Sequence, residues 1–176
     1  MEAKGLRIIG IDPGSHRVGY AVLDFPDSNR SKPNLIIYGT IEVPPKTPSP
    51  DNLIQIKTEL DQIINEFKPE FGSVEELFFV TNVTTGMRVS ESRGVILLSL
   101  GENNIPVVQP TATQVKKGIS ANGNANKKEV RAAIKMILGF HDLKGHDDSW
   151  DAIAVAFVGK SLLHGFGQLK IKSSKT

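Results

Sequence analysis

Three short stretches of this chain place carboxylates where apolar residues would be expected. "IIGIDPGS" ends an apolar run on Asp12, "VEELFFV" sets Glu75 and Glu76 inside another, and "HDDSWDAIA" puts Asp148 and Asp151 ahead of a third. Each has an ordinary explanation when taken alone. An Asp before Pro-Gly is a common turn residue that accepts backbone N–H bonds, an edge strand can hold its acids in water, and acids in a first helical turn complement the helix dipole. Together they describe a different chemistry. In a strand, Glu75 and Glu76 point to opposite faces, so one turns inward, where an unpaired carboxylate is expensive and a metal or a basic partner is its expected company. Asp148 and Asp151 share one face of a helix. Asp12, Glu75, Asp148 and Asp151 thus make an all-oxygen set of the kind that can converge on Mg²⁺.

Those acids need elements to hold them. Leu6 to Ile11, Val18 to Leu23 and Leu35 to Val43 read as three strands of an antiparallel meander, the first two joined by Pro13-Gly14-Ser15. Leu53, Ile56, Leu60, Ile63, Ile64 and Phe67 recur at helical spacing, which predicts a helix over Asn52 to Phe67, capped by Ser49 with Pro50 at its first position and Pro69 past its end. Val74 to Val80 reads as a buried strand, Thr84 or Thr85 to Leu100 as a helix stopping at Gly101, and Ile105 to Gln109 as another strand; this order implies a parallel pair. From Thr111 the chain reads as a basic segment with a flexible loop, "SANGNAN", before a helix over Lys127 to Leu138. Asp147 to Leu163 reads as a closing helix, although "AIAVAF" also alternates as a strand would.

Composition narrows the class. At 176 residues and 39% hydrophobic, the chain is long enough for one well-cored domain, expected over residues 1–168, with a disordered basic tail over 169–176. The absence of cysteine excludes disulfides, thiolate metal sites and cysteine nucleophiles and fits a reducing cytoplasm. No apolar stretch approaches the roughly 20 residues of a membrane span, and "MEAKGLRII" lacks the apolar core of a signal peptide. The formal charge is only +2, but it is unevenly placed. Between Thr111 and Phe140, Lys116, Lys117, Lys127, Lys128, Arg131 and Lys135 face the single acid Glu129, a pattern that favours phosphate contact.

The ordered set "GIDPGS", "VEELFFVTN", "ESRGV", "QVKK", "NKKEV" and "DDSWDAIAVA" resembles the RuvC-type Holliday junction resolvases over nearly the whole chain. The resemblance implies an α/β, RNase H-like fold with a five-stranded mixed sheet flanked by helices, and a homodimer. It implies two Mg²⁺ ions, replaceable by Mn²⁺, held by Asp12, Glu75, Asp148 and Asp151; Glu75 rather than Glu76 matches the family pattern. It also implies a base-stacking role for Phe78 and catalytic roles for Lys116 and Lys127, with the adjacent Lys117 and Lys128 as companions on DNA; the basic cluster adds Arg131 as an expected DNA contact. Thr81 stands where the family often has Lys, a charge that Arg88 is expected to supply. The expected partners are four-way junction DNA and the branch-migration proteins RuvA and RuvB.

Three other readings compete. An actin- or sugar-kinase-type ATP-binding protein shares the first Asp-x-Gly hairpin, but its second phosphate hairpin and adenosine segment are missing from this sequence. A non-catalytic DNA-binding module explains the lysines and leaves the acids unexplained, since acids without metal repel phosphate. Another RNase H-like nuclease differs only in substrate, and the lysine pair and Phe78 argue against it by resemblance alone.

Overall fold

The computed structural model describes residues 5–27, 32–77, 83–139 and 144–173. Strands β1 (Leu6–Asp12), β2 (Arg17–Phe25) and β3 (Asn34–Glu42) form the expected antiparallel meander, and β4 (Phe71–Val74) and β5 (Val107–Val108) add to β1 in parallel. The result is a five-stranded mixed sheet in the order β3-β2-β1-β4-β5. Alternation along β1 divides the core. Ile9 and Ile11 pack on one face beneath helices α1 (Asp51–Phe67) and α2 (Val83–Glu102), against Ile56, Leu60, Ile96 and Leu100. Ile8 packs on the other face with Val115 of α3 (Ala112–Ser120), Ile134 of α4 (Lys127–Leu138) and Trp150 and Ile153 of α5 (Asp147–Ser173).

Small residues let α5 lie directly on the sheet. A Cβ at Gly10 would stand 2.3 Å from the carbonyl oxygen of Ala152, and one at Gly19 would stand 1.9 Å from that of Asp148. Residues 152 to 156 of the helix are all buried against this floor. Such all-round burial erases the helical period and explains why "AIAVAF" also reads as a strand. Gly19→Ala would push methyl against backbone that cannot yield. It is expected to destabilise the protein by about 1–3 kcal/mol, a fall in Tm of roughly 3–10 °C for a chain of this size. Gly94→Ala, which meets nothing within 4 Å, should not lower Tm. Equal melting of the Gly19→Ala variant and the wild type would rule out the close approach.

Several boundaries differ from expectation. The fourth strand is Phe71–Val74, so it ends where the predicted one begins; Glu75 follows the strand rather than lying inside it, and Phe79 and Val80 lie outside the described residues. Gly72 and Ser73 hide this strand in the sequence because they lack strand propensity. They are there for proximity: Gly72 abuts Leu100, and the Ser73 hydroxyl donates to the Val155 carbonyl at 2.8 Å. The basic segment is not a loop at its start. Thr111 caps α3 through a capping box with Gln114, a T-x-x-Q signal present in the sequence. Ser49 does not cap α1; Pro50 occupies the N-cap position with no side-chain hydrogen bond. Finally, α5 runs in helical backbone to Ser173, ten residues past its expected end and into the expected tail.

Candidate active site

Asp12 closes β1 opposite Gly19 of β2. The Glu75 N–H donates to the Ile11 carbonyl at 3.1 Å, which sets Glu75 beside Asp12 at the carboxyl ends of adjacent parallel strands. Asp148 lies in the first turn of α5 and Asp151 just after it, and the Gly10 and Gly19 floor brings this end of the helix down onto the same strand ends. Four acids distant in sequence therefore share one bowl.

Burial and neighbouring charge raise the pKa of three of them. Burial pushes the Asp12 carboxyl up to about 8, with Glu75, Asp151 and Asp148 adding to the rise and Lys127 opposing it. Burial likewise raises Glu75 to about 7, helped by Asp151 and opposed by Lys116. Asp151 is raised by burial against the pull of Lys127. Like charges held together in a half-buried site resist joint ionisation, which is the condition a divalent cation relieves.

The bowl is not a finished coordination shell. Among the described residues, no three Asp, Glu or His side chains are gathered tightly enough to enclose a metal ion. Two of the carboxylates are engaged by cations instead: Asp148 lies 3.6 Å from Arg17, and Asp151 lies 3.7 Å from Lys127. The donor set itself is all oxygen and suits a hard cation such as Mg²⁺.

The basic residues divide by position. Lys116 of α3 and Lys127 at the start of α4 line a cleft of about 310 Å³ together with Glu75 and Asp151. Lys117, Lys128 and Arg88 are exposed and do not line it. Arg131 is paired with Asp147 and sits over the Trp150 ring, 5.4 Å from its centroid. Phe78 and Thr81 lie outside the described residues.

Five further residues join the site without having been singled out in the sequence. Asp147 meets Lys127 at 3.5 Å as well as Arg131, so the α4 cations are shared between Asp147 and Asp151. Arg17 reaches Nδ1 of His146 at 3.4 Å, and Nε2 of His146 lies 2.9 Å from Glu42. Arg17 donates, so Nδ1 accepts and the hydrogen of the neutral imidazole sits on Nε2, which donates to Glu42. Arg93 of α2 donates to the Glu75 carbonyl at 3.3 Å. The available signal for Arg17 and Asp147 was adjacency to the motifs; Arg93 stood inside the "ESRGV" segment with no role attached.

The family model described as crossover junction endodeoxyribonuclease RuvC matches residues 8–159. The crossover junction endodeoxyribonuclease RuvC of Finegoldia magna is 40% identical over 162 residues, covering 92% of this chain and 94% of the relative. That of Thermotoga maritima is 38% identical over 152 residues, covering 86% and 89%. Among solved structures, Thermus thermophilus RuvC superposes with a TM-score of 0.83 at 26% identity, over 90% of this chain and 96% of that one. The same protein in complex with a Holliday junction substrate gives 0.82 at 25% identity, with the same coverage. The yeast mitochondrial Holliday junction resolvase Ydc2, at 14% identity and a TM-score of 0.60 over 93% of this chain and 83% of that one, shares the fold. The expected RNase H-like architecture is the one observed.

Proposed function

The chain belongs to the RuvC family of crossover junction endodeoxyribonucleases, and on that premise we propose that it is a structure-selective nuclease that resolves Holliday junctions in DNA recombination and repair. The observation that carries this reading is the placement of Asp12, Glu75, Asp148 and Asp151 at one end of the sheet, beside a cleft lined by Glu75, Asp151, Lys116 and Lys127. A site that only bound DNA would have no use for four converging acids.

In this reading the four carboxylates hold two Mg²⁺ ions, with Mn²⁺ able to substitute. The chemistry supplied there, when the ions are bound, is activation of water and neutralisation of charge on the scissile phosphate and its leaving oxygen. The protein's own contributions are positional. Asp12 feels the charge of each of the other three acids, Glu75 directly follows β4, and Asp151 stands on α5, which packs on the sheet. Lys116 and Lys127 set point charges on mobile stems over the cleft, where the phosphate's negative charge grows. Hydrolysis breaks the bond between phosphorus and the 3′ oxygen and leaves 5′-phosphate and 3′-hydroxyl ends.

A junction with approximate two-fold symmetry calls for two symmetric nicks, which a C2 homodimer with two such sites can make. Exposed Met87 and Leu98 on α2 support that helix as the dimer surface. Phe78 is proposed to stack on a base near the crossover, and Lys117, Lys128, Arg88 and Arg131 to contact flanking phosphates. RuvA and RuvB are the proposed partners. The proposed setting is the cytoplasm, which the cysteine-free composition supports; no helix among the described residues is long and apolar enough to cross a membrane.

The test is cleavage of a mobile four-way junction and of a matched linear duplex, each in Mg²⁺ and in chelator. Paired symmetric nicks confined to the junction and to Mg²⁺ are expected. Junctions that are bound but stay intact in both Mg²⁺ and Mn²⁺, across several junction sequences, would leave a binding role in place of a catalytic one.

A further inference from the structure

The parallel ladder between β1 and β4 ends on the pair Ile11 and Val74. Continued by one residue, it sets Asp12 opposite Glu75, and the Glu75 N–H duly donates to the Ile11 carbonyl at 3.1 Å. The matching bond on the other side of Glu75 cannot form. In a parallel ladder the Glu75 carbonyl would accept from the amide of residue 13, and residue 13 is Pro, which has no N–H. The "DPG" turn that ends β1 on Asp12 therefore leaves the neighbouring carboxylate's own peptide without its strand partner.

Arg93 supplies the missing donor. Its Nε donates to the Glu75 carbonyl at 3.3 Å, and its Nη2 donates to the Gln109 side-chain oxygen just beyond β5. One guanidinium on α2 thus ties together the ends of two sheet strands. The fork geometry is what makes this possible: two donors leave the same rigid group in different directions, and a lysine could satisfy only one of the two acceptors. The guanidinium meets the carbonyl of Glu75, so its influence on the carboxylate runs through the main chain.

We propose that Arg93 is a positioning residue of the cleavage site, standing in for the amide that Pro13 lacks and fixing the Glu75 peptide so that its carboxylate faces Asp12 and Asp151. This rests on the assignment of Glu75 as a metal ligand in junction cleavage. Outer groups that orient metal ligands commonly affect metal affinity or activity by about 10–100-fold when removed. Arg93→Gln is therefore expected to lower the single-turnover cleavage rate by about 10–100-fold and to raise the half-saturating Mn²⁺ concentration by about tenfold.

The experiment compares wild type, Arg93→Gln and Arg93→Lys in the full chain. It measures Mn²⁺ binding by electron paramagnetic resonance, single-turnover cleavage across Mn²⁺ concentrations, junction affinity across salt in chelator, and Tm. Support would be weaker Mn²⁺ binding and slower cleavage in Arg93→Gln, partial rescue by Arg93→Lys and by excess Mn²⁺, and unchanged junction affinity and salt slope. The proposal is overturned if Arg93→Gln binds Mn²⁺ and cleaves within about threefold of wild type, a span smaller than the usual effect of an orienting group. It is equally overturned if junction affinity falls with a loss of about one in salt slope, the mark of a phosphate contact, or if Tm collapses and Arg93→Lys restores nothing. Should the wild type bind Mn²⁺ yet cleave no junction, the nuclease reading fails, while the Mn²⁺ comparison still decides what Arg93 does.

Discussion

Asp12→Asn is expected to reduce junction cleavage by at least about 10³-fold, in line with removal of a group that acts as part of a catalytic unit, and at the same time to make the metal-free protein more stable. Both effects have one origin. The folded protein holds this carboxyl near 8, chiefly by burial and then by Glu75, Asp151 and Asp148. The unfolded chain returns it to the ordinary value of 3.8. Between those two values the native state binds more protons than the unfolded state, so the stability contribution is complete below the lower value and is lost as pH rises through the upper one. Glu75, raised to about 7, acts with the same sign. Each tenfold change in proton affinity corresponds to about 1.4 kcal/mol, so at pH 8 an uncharged Asn should raise Tm by several degrees. Thermal melts in chelator from pH 5 to 8.5 check this: wild-type Tm should fall across the range and that of the variant should fall less. A variant that cleaves within about tenfold of wild type, well short of the loss of a metal ligand, removes Asp12 from the site. A wild-type Tm that climbs over this range contradicts the crowding of the carboxylates.

The lysines carry the second large effect. Lys116→Ala and Lys127→Ala are each expected to cut the cleavage rate by about 10²-fold or more, the magnitude associated with deleting one preorganised donor to developing charge. Each should also lower the salt slope of junction binding by about one. Lys117→Ala and Lys128→Ala should change the salt slope alone, because these side chains stand outside the cleft formed by Glu75, Lys116, Lys127 and Asp151. Single-turnover rates with binding isotherms at several salt concentrations separate the two classes. Unchanged rates and slopes in Lys116→Ala and Lys127→Ala would take both lysines out of the reaction. Lys127 has an added role in the free protein, since it faces Asp147 at 3.5 Å and Asp151 at 3.7 Å. Arriving phosphate must compete with those carboxylates for it.

Local structure was largely legible from residue types. The meander, α1 and α4 follow from alternation, helical spacing and punctuating Gly and Pro, because those signals depend only on neighbours in the chain. The acids were legible as a set because carboxylates at a tight turn, in an apolar run and at a helix start each oppose the local pattern. What resisted reading was contact-driven. Gly72 and Ser73 form a strand because Leu100 and α5 need the space, not because they favour extended backbone. The α3 helix was masked by lysines and Gly118, although its capping box was present.

The sequence by itself determined which groups are available for chemistry: four carboxylates, two lysine pairs and the "DPG" turn, since side-chain identity needs no fold to be known. Only the tertiary structure decided that Asp12, Glu75, Asp148 and Asp151 lie at one end of the sheet, that Lys116 and Lys127 line a cleft with Glu75 and Asp151 while Lys117 and Lys128 do not, and that Arg17, Asp147 and Arg93 belong beside them. The reason is that these distances are set by the register of β1 with β4 and by the approach of α5 over Gly10 and Gly19. Both are properties of packed surfaces brought together from opposite ends of the chain, which no local spacing encodes.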